Sequence, residues 1–401
     1  SSDLSKVDMN SGQLKGMSYN AEFEWKKPEE RAYLFDHVWQ QVVDKFYDPT
    51  IHNIDWAFYK KEYARFLPYI NNNYDFAEML AELLGELNAS HTGASYKGGG
   101  SSSQTAALGV FYDETFDGDG LKIKEILEKG PLDLTSGKIK PGMIIRKINN
   151  QEIKKGQDYF QILEDLSGKR VMLTIYDPST KKEWEEYVKP TTYGNQNGLL
   201  YNRWVKQRQE MVEKLSNGKI GYVHVKSMDS PSFRKVYSEI LGKYRNKEAI
   251  IVDTRYNGGG WLHEDLLHLL SGKKYAEFVP RGQFIGEDPF TQWNKPSAVL
   301  VSESNYSNAH GFPWAYKELG LGKVIGMPVP GTMTAVWWET LMDPSLVFGI
   351  PQVGMKDNQG RILENMQLEP DIKVTNDPAS AMKGRDLQLE AAVESLMKEI
   401  K

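Results

Sequence analysis

Two short runs in the C-terminal half constrain the fold most. Residues 249–252 read AIIV and residues 298–301 read AVLV. Each is apolar throughout and then stops abruptly, at DTRYNGGG after the first and SESNYSN after the second. A strand with one wet face alternates apolar and polar residues. A run apolar at every position is a strand covered on both faces, as in a parallel sheet between helices. A helical pattern follows each run, WLHEDLLHLLSG after NGGG and FPWAYKEL after SNAHG. KIGYVHVKSM followed by SFRKVYSEILGKY repeats the order upstream, and KVIGMPVPG, LVFGIPQVGM and PDIKV read as further strands. The β-then-α order over residues 193–401 predicts an α/β layered domain, in which sites gather at the carboxyl ends of the strands.

A chain of 401 residues is too long for one core, so more than one domain is expected. Residues 1–27, opening SSDLSKVDMNSGQLKG, read as a flexible tail. Residues 28–103 read as a helical domain. Leu34, Val38, Val42, Val43 and Phe46 recur at helical spacing, and a second helix has Asp75 at its cap, Glu78 three residues on, and Phe76, Met79, Leu80, Leu83, Leu84 and Leu87 on one face. KGGGSSSQT (97–105) reads as a linker. Residues 104–192 carry short β patterns, LGVFY, LKIKEIL, MIIRKIN and VMLTIYD, with turn signals between them and a helical reading for DYFQILEDLSG. Within them KPGMIIRKINNQEI resembles the PDZ signature, which would make GVFYD an edge strand able to accept a peptide by strand addition.

Composition limits the partners. A net charge of -5 gives no basic excess for nucleic acid, and no apolar run has the length of a membrane span. The absence of cysteine excludes disulfides, thiolate metal sites and a cysteine nucleophile. No signal peptide opens the sequence, and either a cytoplasmic or a periplasmic location fits. The histidines are scattered, with no HExxH, and neither GxxxxGK[ST] nor GxGxxG occurs, so neither a metal nor another cofactor is expected.

The candidate chemistry centres on Ser307, presented after the 298–301 strand where a helix begins. A loop serine is ordinarily a cap or turn residue. To act as a nucleophile it needs a base, a group that orients the base, and donors for an oxyanion. His310 is three residues away, and His91, in ASHTG, sits where the chain turns after a long amphipathic helix. His224 reads as a strand residue, and His263 and His268 as helix residues. The glycines of NGGG (257–260) free backbone amides for close approach to a substrate, and the amide of Asn308, near a helix N-terminus, is a second donor.

Taken in order, LLGELNASHTG, the PDZ-like region, DTRYNGGG, SESNYSNAHGFPWAYKELGLGKVIG with MPVPGT, and LENMQLEPD resemble the tricorn proteases, within the wider group of tail-specific, C-terminal-processing serine peptidases. The resemblance covers roughly residues 25–375. It implies a multidomain α/β protein with an N-terminal helical domain, a PDZ-like β domain and a crotonase-like (ββα) catalytic domain. It also implies a serine endopeptidase acting on oligopeptides or unfolded chains through an acyl-enzyme. Ser307 falls on the nucleophile of a Ser-His-Ser-Glu tetrad, His91 on the base, Ser90 on the relay serine and Glu364 on the acid. The oxyanion amides fall on Gly259, with Gly258 the alternative, and on Asn308. By spacing, Glu277 supplies the acidic pocket residue that selects basic side chains, and Trp337, Trp338 and the PVPGT loop are candidates to line a cleft. The family commonly has Asp after the nucleophile, where this chain has Asn308. A homo-oligomer is expected from the resemblance, and the β-propellers that precede this region in the family would belong upstream. Three alternatives stand beside the peptidase: an inactive PDZ-bearing peptide-binding scaffold, a crotonase-type acyl-CoA enzyme, and a Ser-Lys dyad using Lys317 or Lys323.

Overall fold

The computed structural model describes residues 4–17, 25–99 and 103–400. The chain divides into two compact units, Ser1–Gly98 with Thr334–Gly354, and Gly99–Met333 with Met355–Lys401. In the stretch read as a tail, Leu4–Val7 and Leu14–Met17 pair as an antiparallel hairpin, Lys27 already belongs to the first helix, and residues 1–3 and 18–24 lie outside the described residues. So do residues 100–102 of the expected linker.

The first unit packs three helices, Lys27–Lys45, Trp56–Ala64 and Asn73–Gly85, on an antiparallel sheet of Thr334–Thr340, Leu346–Gly354 and Gly93–Tyr96. The predicted apolar stripes form its core. Leu34, Val38, Val42, Phe76, Leu80, Leu83 and Leu84 are fully buried, together with Phe348 and Ile350 from the sheet. Removing one such side chain, Leu80→Ala for example, would cost about 2–5 kcal/mol. The third helix starts one turn before the expected cap. Asn72 Oδ1 accepts the Asp75 N–H at 2.9 Å while Asn72 Nδ2 donates to Asp75 Oδ2 at 2.7 Å. Asp75 is therefore the third helical residue, and asparagine, an equally good cap, takes the earlier position. The sequence reading grouped 334–354 with the C-terminal α/β region, whereas this ribbon completes the sheet under the N-terminal helices.

The second unit begins with an antiparallel sheet ordered Lys182–Val188, Val171–Asp177, Ile144–Ile148, Leu121–Ile126, Val110–Tyr112. Its inward residues, among them Ile123, Ile145, Ile148, Leu173 and Ile175, form a separate core. Val110–Tyr112 is the edge strand, as GVFYD suggested. The helix expected over DYFQILEDLSG is only a 3₁₀ turn, Phe160–Leu163. Glu164, the next residue, is already extended (φ -61°, ψ 128°), and Asp165 follows at φ 55°, so the turn cannot continue.

The remainder of this unit is the predicted layered domain. Five parallel strands, β1 (Ile220–His224), β2 (Ala249–Asp253), β3 (Ser297–Val301), β4 (Lys323–Gly326) and β5 (Ile372–Lys373), lie side by side in that order. Helices α1 (Tyr193–Leu215) and α5 (Leu387–Glu399) share a core with Ile251 and Leu300 on one face. Helices α2 (Ser230–Ser238), α3 (His263–Leu270) and α4 (Asn308–Glu318) share a core with Val252, Val299 and Val301 on the other. Alternate residues of AIIV and AVLV thus enter opposite cores, which is why neither run contains a polar residue. The polar loops leave from the carboxyl ends of β2 and β3, which are adjacent strands.

Candidate active site

The loop after β3 is held from within. Asn305, 1% exposed, accepts the Ser302 N–H (3.0 Å) and Ser302 O–H (3.2 Å) at Oδ1, and its Nδ2 donates to Thr254 Oγ1 (2.9 Å) and Ala309 O (3.1 Å). The main chain then turns sharply into α4 at Ser307, whose φ is 56° and ψ is -125°. Few residues other than glycine adopt this conformation, and it costs of order 1–3 kcal/mol wherever it persists. The surrounding hydrogen bonds compel it. The Tyr306 N–H donates to Asn257 O (3.1 Å), the Ser307 N–H to Thr332 Oγ1 (2.8 Å), and the His310 N–H to Ser307 O (2.8 Å). A serine on a strained strand-to-helix turn is the geometry of a nucleophile elbow.

The loop after β2 presses against this turn. A Cβ on Gly259 would lie 2.6 Å from Ser307 Cβ and 3.2 Å from Ser307 Oγ, and Gly259 has φ +98°. Only glycine fits there. The Gly259 N–H, however, donates to Asn257 Oδ1 at 2.8 Å, while Asn257 Nδ2 donates to Val225 O at 2.8 Å. The neighbouring Gly258 is exposed, and nothing lies within 4 Å of where its Cβ would be. Beneath the loop, Arg255 is 1% exposed and binds Asp253 through Nη2 (2.7 Å), Asp386 through Nη1 (2.9 Å) and Gln388 through Nη1 (2.9 Å). The two carboxylates hold its guanidinium charged despite burial.

Asn308 starts α4 with its side chain inward, 2% exposed. Oδ1 accepts the Leu262 N–H (2.7 Å) and the His263 N–H (2.9 Å), and Nδ2 lies 2.8 Å from His263 Nδ1. The amide side chain therefore caps α3 and leaves His263 Nδ1 as acceptor. Burial lowers the His263 pKa, which suits that neutral form.

His310 is fully buried, and burial lowers its pKa to about 4. Its Nδ1 accepts the Thr332 N–H (3.3 Å), and its buried Nε2 has no hydrogen-bond partner among the described residues. It supports Thr332, which holds Ser307, and is not placed as a base. Gly331, next to Thr332, lies so close to the following turn that a Cβ would be 2.2 Å from Met366 N. The Asn365 N–H donates to Gly331 O (2.9 Å). Glu364, on this turn, is only 6% exposed.

In the first unit, His91 has φ 61°. Its Nδ1 lies 2.7 Å from Ser90 Oγ and 3.1 Å from Thr334 Oγ1. When Nδ1–H donates to these hydroxyls, Nε2 is the basic nitrogen. Burial lowers the His91 pKa, so the ring is predominantly neutral near pH 7.

Other candidates are engaged differently. Glu277 lies on an exposed hairpin, Ala276–Phe278 with Gly286–Asp288, where its carboxylate pairs with Lys274. Lys317 binds Glu369 O (2.9 Å) and Asp371 (2.9 Å), and Lys323 faces Glu399 at 4.0 Å. Trp337 and Trp338 are both about half exposed, and Trp338 lies across Gly349 of the neighbouring strand. Thr332, Asn257, Asn305 and Thr334 were not singled out in the sequence. The asparagine-rich composition of NYSN and NGGG is the signal that could have found two of them.

Residues 219–374 match peptidase family S41, and residues 27–85 match the tricorn protease C1 domain. Over those residues the chain is similar to the S41 peptidases, and it is tricorn-like. It is 23% identical to the tricorn protease of Thermoplasma acidophilum over 93% of this chain and 35% of that protein, and 26% identical to tricorn protease homolog 1 of Streptomyces coelicolor over 92% and 35%. The crystal structure of the tricorn protease shares its fold, with a TM-score of 0.83 at 19% identity, over 99% of this chain and 40% of that one. The chain therefore spans about a third of the length of these curated relatives.

Proposed function

We propose that the chain is a serine endopeptidase that cuts oligopeptides or unfolded chains through an acyl-enzyme on Ser307. The observation that carries this reading is the Ser307 turn, a strained non-glycine residue at the carboxyl end of a buried parallel strand, pressed against a glycine loop. In this reading residues 28–103, completed by the 334–354 ribbon, form the domain carrying the base, 104–192 a PDZ-like domain and the rest of 193–401 a crotonase-like catalytic domain. His91 Nε2 takes the proton of Ser307 Oγ as the oxygen attacks the scissile carbonyl, and then delivers it to the leaving amine. Water, activated by the same imidazole, releases the acyl group. Ser90 accepts from Nδ1–H and relays the charge of Glu364, which stabilises the imidazolium. The oxyanion donors are the N–H groups of Gly258 and Asn308. Gly259, the first choice from sequence, has its N–H committed to Asn257. The Ser-Lys alternative is disfavoured because Lys317 and Lys323 face carboxylates of their own.

A fluorophosphonate probe tests the assignment. We expect a single adduct on Ser307, mapped by mass spectrometry, that falls by about 1,000-fold or more in rate in His91→Ala. Ser307→Ala should abolish peptide hydrolysis with an unchanged thermal midpoint, because the serine side chain is not part of a core. Labelling unaffected by His91→Ala would remove the proposed base. A Ser307→Ala protein with wild-type turnover would end the peptidase reading.

A further inference from the structure

We infer that Trp261 is the substrate-contacting residue that sets side-chain preference beside the scissile bond, and that it selects aromatic and large aliphatic residues. The inference rests on the peptidase reading of Ser307 and deepens it. Trp261 is 65% exposed, although it sits between two residues tied to the nucleophile turn. Two positions before it, Gly259 abuts Ser307. One position after it, the Leu262 N–H is held by Asn308 Oδ1 at 2.7 Å. The indole is therefore carried on a backbone fastened on both sides to Ser307 and Asn308.

That backbone is not free to turn the ring away. The Trp261 N–H donates to Met228 O (2.7 Å) and the Met228 N–H to Gly259 O (3.0 Å), so residues 228 and 260 pair as a parallel bridge. A Cβ on Gly260 would lie 2.2 Å from Met228 O, so the glycine allows the close approach that fixes Trp261. The ring is braced edge-on by His263, centroids 5.5 Å apart at 84°, and His263 in turn meets the Asn308 amide at 2.8 Å. A half-buried tryptophan finishing a core would turn its faces inward. This one meets the His263 ring edge-on and leaves 65% of its surface to solvent, which suits a ring that completes its packing on a ligand.

The chemistry of the ligand follows from the neighbours. Residues 256–262 and 305–308 contain no ionisable side chain besides tyrosine. Glu264 and Asp265 follow in the first turn of α3, where the helix N-terminus favours negative charge without a ligand. The carboxylate expected to select basic residues, Glu277, is already paired with Lys274. An apolar ring on an uncharged loop ranks Phe, Tyr and Leu above Lys, Asp and Ala.

The test uses the full chain with a peptide series differing at one position beside the cut, Phe, Leu, Lys, Asp or Ala, with cuts located by mass spectrometry. We expect kcat/KM for Phe and Leu to exceed that for Ala by about tenfold or more. Trp261→Ala should bring the Phe-to-Ala ratio to within about twofold by raising KM for the Phe peptide, and Trp261→Tyr should restore most of it. A series led by the Lys peptide, or a Phe-to-Ala ratio untouched by Trp261→Ala, would overturn the assignment. Failure of the underlying reading looks different, with no cuts and no fluorophosphonate adduct on Ser307. In that event the same peptides are titrated calorimetrically against Ser307→Ala. Binding of the Phe peptide about tenfold tighter than the Ala peptide, lost in Ser307→Ala/Trp261→Ala, supports the aromatic site, and equal binding overturns it.

Discussion

The turns that carry Ser307 and His91 solve the same problem by different means. Each forces a non-glycine residue to positive φ, 56° at Ser307 and 61° at His91. The Ser307 turn is held by amides: Asn257, Asn305 and Asn308 are all at most 2% exposed, Asn257 and Asn308 bond backbone on another segment, and Asn305 ties Ala309 O in its own turn to the Thr254 hydroxyl. His91 is met by hydroxyls, Ser90 and Thr334, whose protons can rotate. A nucleophile gains from a fixed position. The proposed base, which accepts a proton at one nitrogen and has the charge stabilised at the other, gains from partners that can reorient.

The most damaging way to break this contrast is Gly259→Ala. Its Cβ would strike Ser307, and we expect kcat/KM to fall about 100-fold or more. Gly258→Ala, where nothing lies within 4 Å, should cost far less, on the order of a few-fold, because the N–H is kept. Equal losses at the two glycines, measured in one peptide assay, would mean the turn is not as rigid as drawn.

Acid sharpens the difference between two histidines. His310 has its pKa lowered from 6.5 to about 4 by burial. It contributes stability that is complete above pH 6.5 and is lost as pH falls towards 4, about 2 kcal/mol by pH 5. His310→Gln keeps an acceptor for Thr332 without titrating, so its urea midpoint should fall less between pH 7 and 5 than that of the parent. His91 should appear in activity instead. In the proposed mechanism the base acts neutral, so kcat/KM rises with pH, and the midpoint of the acid limb should lie below 6.5, as burial directs. A midpoint above 6.5 would mean that burial does not set the titration of this ring.

A last pair compares two threonines. Thr332→Val leaves the Ser307 N–H without an acceptor, at about 1–3 kcal/mol, and should lower kcat roughly tenfold to 100-fold. Thr334→Val removes a hydroxyl at His91 Nδ1, and that of Ser90 remains, so a loss under about tenfold is expected. A reversed order in single-turnover acylation rates would place the rigidity at the base instead.

Much of the fold was legible because burial on two faces leaves a plain trace. AIIV and AVLV have no polar residue, and each strand ended where the residues changed character. Other strands left a weaker trace. Lys182–Val188, KEWEEYV, has charge at four of seven positions because it is an outer strand wet along one side. Thr334–Thr340, TAVWWET, shows no alternation, and nothing local reveals that it pairs with Leu346–Gly354 beneath the N-terminal helices. At the candidate site, Ser307 and the glycines were visible because their positions demand particular residues. Thr332 was not, since a single hydroxyl accepting from a backbone N–H 25 residues away has no spacing rule to betray it.

The grip of Arg255 ties the C-terminal helix to the loop that touches Ser307. Asp386 supplies a carboxylate to that guanidinium and also caps α5, accepting the Leu389 N–H at 3.1 Å. Clipping the chain ahead of residue 386 would strand a cation in the interior, directly under Tyr256 and Asn257, with one carboxylate where it now has two. The final turns of polypeptide thus behave as a latch: shortening them by proteolysis would be a way to silence the molecule without touching a single reacting group.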